Sequence, residues 1–150
     1  YEVIVSHSVF RELTESDYPD SHQFKEWGDE GLFVVQDPSG EQEHFQKKGG
    51  MLSRLDQGEQ DTILLFYSGV ADFIIIDDGR GARICRDQQI PFINALLFAR
   101  IVALVGSISE AEAKEKFNII KETGYYSKQI IQKARYFTVS NLEKFLPGAP

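Results

Sequence analysis

One cysteine, Cys85, and one methionine are all the sulfur in this chain of 150 residues. A lone thiol builds no disulfide framework, so a reducing cytoplasm is the expected compartment. His7, His22 and His44 lack ligand spacing and Cys85 has no catalytic partner in view, which removes zinc and thiol-triad chemistry. Long apolar runs are also missing. The longest, Phe92–Val105, is interrupted by Asn94 and Arg100, short of the ~18 residues a membrane helix needs. No basic and then apolar leader opens the chain, so no secretory signal is read. Basic residues are the minority, 16 Lys and Arg against 23 Asp and Glu, giving a net charge of -7. That balance disfavours nucleic-acid binding through a general basic surface, because such binding runs on phosphate neutralisation and counterion release. Local basic contacts stay open. There is no phosphate-binding Gly-x-x-x-x-Gly-Lys loop, and Gly79-Arg80-Gly81 is too little for a dinucleotide fingerprint.

What is present suits one folded domain over 1–150. Apolar residues make up 42% of the chain, and a domain of this size buries roughly 70% of its unfolded surface. Strands are expected at Tyr1–Val5, Gly31–Val35, Phe73–Ile76 and Ile90–Ile93. Helices are expected over Val9–Glu15, from Asp56 through Tyr67, over Gly79–Gln88 and Ala95–Val105, after the Ser109-x-x-Glu112 capping box, and from Ser127. A partly helical patch surrounds Phe24–Trp27, Asp37–Gly40 reads as a turn, and Glu41–Leu55 as helical only in parts. Strands alternating with helices predict an α/β domain, three layers with a mainly parallel central sheet. The chain opens directly on an apolar strand without a Met, and a segment upstream is expected.

The stretch Leu55–Cys85 holds most of the functional information. Its run Phe73-Ile74-Ile75-Ile76 shows no alternation, which predicts a strand covered on both faces. Asp77-Asp78 closes it, at the strand edge where open α/β sheets meet their ligands. Glu12, Glu59 and Asp77 or Asp78 thus fall at element starts or edges, and Mg²⁺ and Mn²⁺ take such oxygen ligands. Each acid also has a plainer role. Asp56-x-x-Glu59 is a capping pattern, Asp78 suits the N-cap of the next helix, Glu12 suits a solvated helix face, and Asp72 a turn. Arg80, Arg83 and Arg86 share an i, i+3 row, either a solvated face or a clamp for RNA phosphates.

Taken together, Val9-Phe10-Arg11-Glu12, Leu55-Asp56-Gln57-Gly58-Glu59 and Ile74-Ile75-Ile76-Asp77-Asp78, followed by Gly79 to Arg83, resemble the PIN-domain family, in its prokaryotic nucleic-acid-binding and toxin branch. Gly106-x-Ile108 and Gly124-Tyr125-Tyr126-Ser127 resemble that branch's tail. The resemblance implies a ribonuclease using Mg²⁺ or Mn²⁺, with Glu12, Glu59 and Asp77 as catalytic metal ligands and Asp78 as a fourth ligand or a cap. It further implies a toxin role beside an antitoxin protein, and a homodimer. The family's first strand carries a key Asp that nothing in this chain supplies, and Asn94-Ala95 stands where the branch has Gly or Thr. A different reading is an inactive interaction domain whose acidic cleft takes a basic partner segment. A phosphotransfer domain of receiver or dehalogenase type would need a Lys and a Ser or Thr at later strand ends, and Ile93-Asn94 offers neither.

Overall fold

The computed structural model describes residues 2–15, 19–38 and 50–142. Strand β1 (Ile4–Ser6) runs straight into helix α1 (His7–Glu15), with the Ser6 hydroxyl accepting the Val9 amide at 3.3 Å to start the helix. Helix α2 (Ser21–Asp29) is a full helix where the sequence predicts only a patch. Strand β2 (Val34–Gln36) pairs in parallel with β1, Ile4 opposite Val34. The expected turn at Asp37–Gly40 falls partly, and the segment 41–49 wholly, outside the described residues. A 3-10 turn at Leu52–Arg54 precedes α3 (Gln57–Tyr67).

Strand β3 (Ile74–Ile75) pairs in parallel with β4 (Phe92–Ile93), and α4 (Gly79–Asp87) connects them. Pro91 sits just ahead of β4, as expected, and its carbonyl accepts the Ile74 amide. Helices α5 (Ala95–Leu104), α6 (Glu110–Thr123), α7 (Lys128–Arg135) and α8 (Val139–Leu142) complete the order. The capping box at Ser109 and Glu112 forms in full, Ser127 caps α7, and Gly106 takes the left-handed φ of 76° that ends α5. The architecture is therefore α/β with parallel strands.

Two features depart from the sequence reading. The described strands form two separate pairs, β1 with β2 and β3 with β4, and α3 packs against both β1 and β3. Strand β3 is not covered on both faces: Ile74 and Ile76 are 3% and 7% exposed, but Ile75 is 42% exposed. The apolar run hides an ordinary alternation, because a large aliphatic residue can face solvent as readily as a polar one.

The main core joins Leu55 and Ile63 of the α3 region, Ile74 and Ile76 around β3, and Ile84, Cys85 and Ile90 of the α4 region. Burying side chains of this size contributes about 1.5–3 kcal/mol each. This packing fixes the start of α3 against the carboxyl end of β3, and so places the acids.

Candidate active site

Helix α3 begins at Asp56, whose side chain accepts the Glu59 amide at 2.8 Å. The capping role expected of Asp56 is met. Glu59 does not complete a capping box; its carboxyl turns inward, towards Asp78. Asp78 is itself an N-cap, accepting the amides of Arg80 at 2.7 Å and Gly81 at 3.4 Å. Those amides and the arginine beside it hold Asp78 below the usual carboxylate range, with the Glu59 carboxyl adding to the effect. Glu59 moves the opposite way, up to about 7, first through burial and then through the negative charges of Asp56 and Asp78. The two carboxyls interact, and the interaction favours the proton on Glu59 and the charge on Asp78.

Glu59 Oε1 is buried and has no hydrogen-bond partner among the described residues. An orphaned carboxylate oxygen of this kind is uncommon and points to a missing proton, water or cation. Gly81 makes room for it: a Cβ there would lie 2.7 Å from Oε1 and would collide with the Ile76 side chain. The thiol of Cys85, pushed up to about 11 by burial and then by Glu59, is an inert wall.

The other expected acids stand apart. Glu12 lies over Gly58, both its oxygens 3.2 Å from where a Gly58 Cβ would be, and it lines a small cleft of about 230 Å³ with Ser8, Arg11, Glu15 and Gln57. It thus sits against the residue before Glu59, and Glu59 is not among the residues that line that cleft. Asp77 faces the other way, with Oδ1 accepting the Ala95 amide at 3.0 Å and Oδ2 accepting the Tyr126 hydroxyl at 2.8 Å. Consecutive residues of extended chain point to opposite sides, so only one of the Asp77-Asp78 doublet can reach Glu59. Among the described residues no three acids, histidines or cysteines gather closely enough to hold a metal between them. What the structure brings together is a pair, Glu59 and Asp78.

Sequence reasoning missed Tyr126, whose burial and bond to Asp77 push its hydroxyl well above the ordinary phenol range. It also missed a polar chain in which Ser8 bonds Ser6 at 2.9 Å and donates to Asp61 at 2.6 Å, while Gln57 donates to Asp61 at 2.8 Å. This chain ties β1 and α1 to α3. The arginine row expected on α4 is present and exposed. Arg80 turns back to Asp78 at 3.8 Å and the Arg54 carbonyl, whereas Arg83 and Arg86 have no acidic partner among the described residues.

An acidic pair at the carboxyl end of a parallel strand, fed by a helix start and followed by an arginine row, carries the motif order of one family. A family model described as a PIN domain matches residues 1–137. The chain belongs to the PIN-domain family. No curated protein and no solved structure matches it. In this PIN domain the hard, anionic donors Glu59 and Asp78 suit Mg²⁺ or Mn²⁺, which commonly bind through one or two carboxylates and keep several waters. No helix among the described residues is long and apolar enough to cross a membrane.

Proposed function

We propose that this PIN domain is a metal-dependent endoribonuclease whose reactive centre is built on Glu59 and Asp78. The observation that carries the reading is the buried, unpartnered Glu59 oxygen beside a second carboxylate. Glu59 and Asp78 would hold a Mg²⁺ or Mn²⁺ ion in place of the Glu59 proton, with Glu12 of α1 against Gly58, the residue before Glu59. The ion, when bound, supplies a charge that stabilises the phosphodiester transition state and acidifies a water. The protein's own groups do the rest. The Arg80 and Gly81 amides keep Asp78 ionised and aimed, and Arg83 and Arg86 take RNA phosphates. Asp77 positions the strand end through Ala95 and Tyr126.

The family resemblance extends this to a cytoplasmic toxin held in check by an antitoxin protein, in a homodimer.

A Mn²⁺-dependent RNA cleavage assay tests the proposal. Glu59→Gln and Asp78→Asn should each lose about 100-fold or more in rate, and Asp77→Asn much less. Full activity in Glu59→Gln would remove the proposed centre.

One observation favours a second reading. With no more than two acids gathered among the described residues, the acidic cleft also suits a silent domain binding a basic segment of a partner. In that case millimolar Mg²⁺ leaves the melting temperature unchanged, whereas the nuclease is stabilised by its ion.

A further inference from the structure

Away from the acids, helices α5, α6 and α7 border an open cavity of about 720 Å³ lined by Arg100, Glu110, Lys114, Phe117, Asn118 and Arg135. This lies within the range of ligand sites, roughly 300–1,000 Å³. Its charge is opposite to that of the chain as a whole. Arg100 bonds Glu110, with Nη1 2.7 Å from Oε1, so the one acid in the wall is already neutralised. Arg100 is also fixed by the Phe137 carbonyl at 3.4 Å and is only 26% exposed, which makes it a rigid wall rather than a loose surface cation. Lys114 and Arg135 have no acidic partner among the described residues. A cation in the last turn of α7 is favoured by the helix dipole, which accounts for Arg135. Lys114 stands one helical turn after Glu110, whose carboxylate is already engaged by Arg100.

We propose that this cavity binds a nucleotide unit, a phosphate ester carrying a flat base. Arg135 and Lys114 take the phosphate, the Phe117 ring offers the base an apolar face, and the Asn118 amide can donate and accept at its edge. The cavity and the Asp77 contact share helix α5. Arg100 lies five residues beyond Ala95, about 8 Å along α5 from the amide held by Asp77. An RNA strand held by the domain could rest one of its nucleotides here. That use rests on the ribonuclease reading, whereas the binding itself does not.

The test is binding in EDTA, where no cleavage occurs. Calorimetric titration with AMP, adenosine and inorganic phosphate is run beside fluorescence anisotropy with a labelled eight-nucleotide single-stranded RNA. AMP should bind more tightly than either fragment. Lys114→Gln with Arg135→Gln should weaken AMP about tenfold or more at low salt. Phe117→Leu, which keeps an apolar wall, should bring AMP down to the level of phosphate while the melting temperature stays within a few degrees. If the double variant weakens the RNA as well, the nucleotide comes from the strand. If AMP alone is weakened, a free mononucleotide fills the site. AMP binding no tighter than phosphate, or unchanged in the double variant, overturns the proposal. Glu59→Gln should leave AMP binding intact, so that loss of cleavage and loss of this site are read separately.

Discussion

Glu59 keeps its proton to about pH 7, where a solvated glutamate has long been ionised. Its folded value lies above the 4.5 of the free side chain, so between these two the native state binds more protons than the unfolded one. Stability therefore falls as pH rises through that window. Gln carries no such charge. In EDTA, Glu59→Gln should match the wild type near pH 4 and exceed it at pH 8 by about 1–2 kcal/mol. Each pKa unit corresponds to about 1.4 kcal/mol, and a partly solvated side chain delivers less than the full sum. Urea unfolding at the two pH values reads the difference, and an equal gap at both would contradict the titration. Saturating Mn²⁺ should close the gap at pH 8. At this scale the sequence was partly legible. It named Glu59 and the Asp77-Asp78 doublet, but neighbouring strand residues face opposite sides, and nothing in two identical letters says which of them turns towards α3. Tyr126 left less signal still, since it lies 49 positions from the carboxylate it bonds.

At the scale of elements, the turn from β3 into α4 controls the pair. Gly81 sits in the first turn of α4 with Ile76 and Glu59 directly against its Cα. Gly to Ala within a helix ordinarily gains up to ~1 kcal/mol. Here the new methyl has no room, so Gly81→Ala should destabilise by about 1–3 kcal/mol as an overpacked core does, and should displace the Glu59 carboxyl. Gly79, two residues earlier, has open space around it. Gly79→Ala should be neutral or gain a few tenths of a kcal/mol. Chemical denaturation of both variants checks the contrast, and a Gly81→Ala protein as stable as Gly79→Ala would show that the packing relaxes freely. Helix starts at Asp56, Asp78, Ser109 and Ser127 were readable because a cap is a local bond between a side chain and an amide two or three residues on. The exposure of Ile75 was not, because burial depends on which strand pairs with which, and Phe73 to Ile76 contains no polar residue to mark the open face.

Across the whole molecule, Asp77 joins the β3 end to the α5–α7 unit by two bonds, one to the Ala95 amide and one to Tyr126 after α6. Parallel α/β character was legible from alternating patterns, but the division of the described strands into two pairs arises from contacts far apart in sequence, such as those of α3 with both β1 and β3. If Asp77 serves as this joint, its loss should be a matter of stability and alignment. Tyr126→Phe removes one hydrogen bond to a carboxylate that is itself exposed, so a loss of about 1 kcal/mol is expected, at the low end for charged partners. Asp77→Asn should cost a comparable amount. The two changes break the same bond, so the double variant should be clearly less destabilised than the sum, with a coupling of about 0.5–1 kcal/mol. The cycle is measured by urea unfolding, with Mn²⁺-dependent RNA cleavage followed in parallel. Residual cleavage in Asp77→Asn should track that of Tyr126→Phe, since both act through the same alignment. Full additivity in stability, or cleavage abolished in Asp77→Asn but untouched in Tyr126→Phe, would move Asp77 from the joint to the reactive centre.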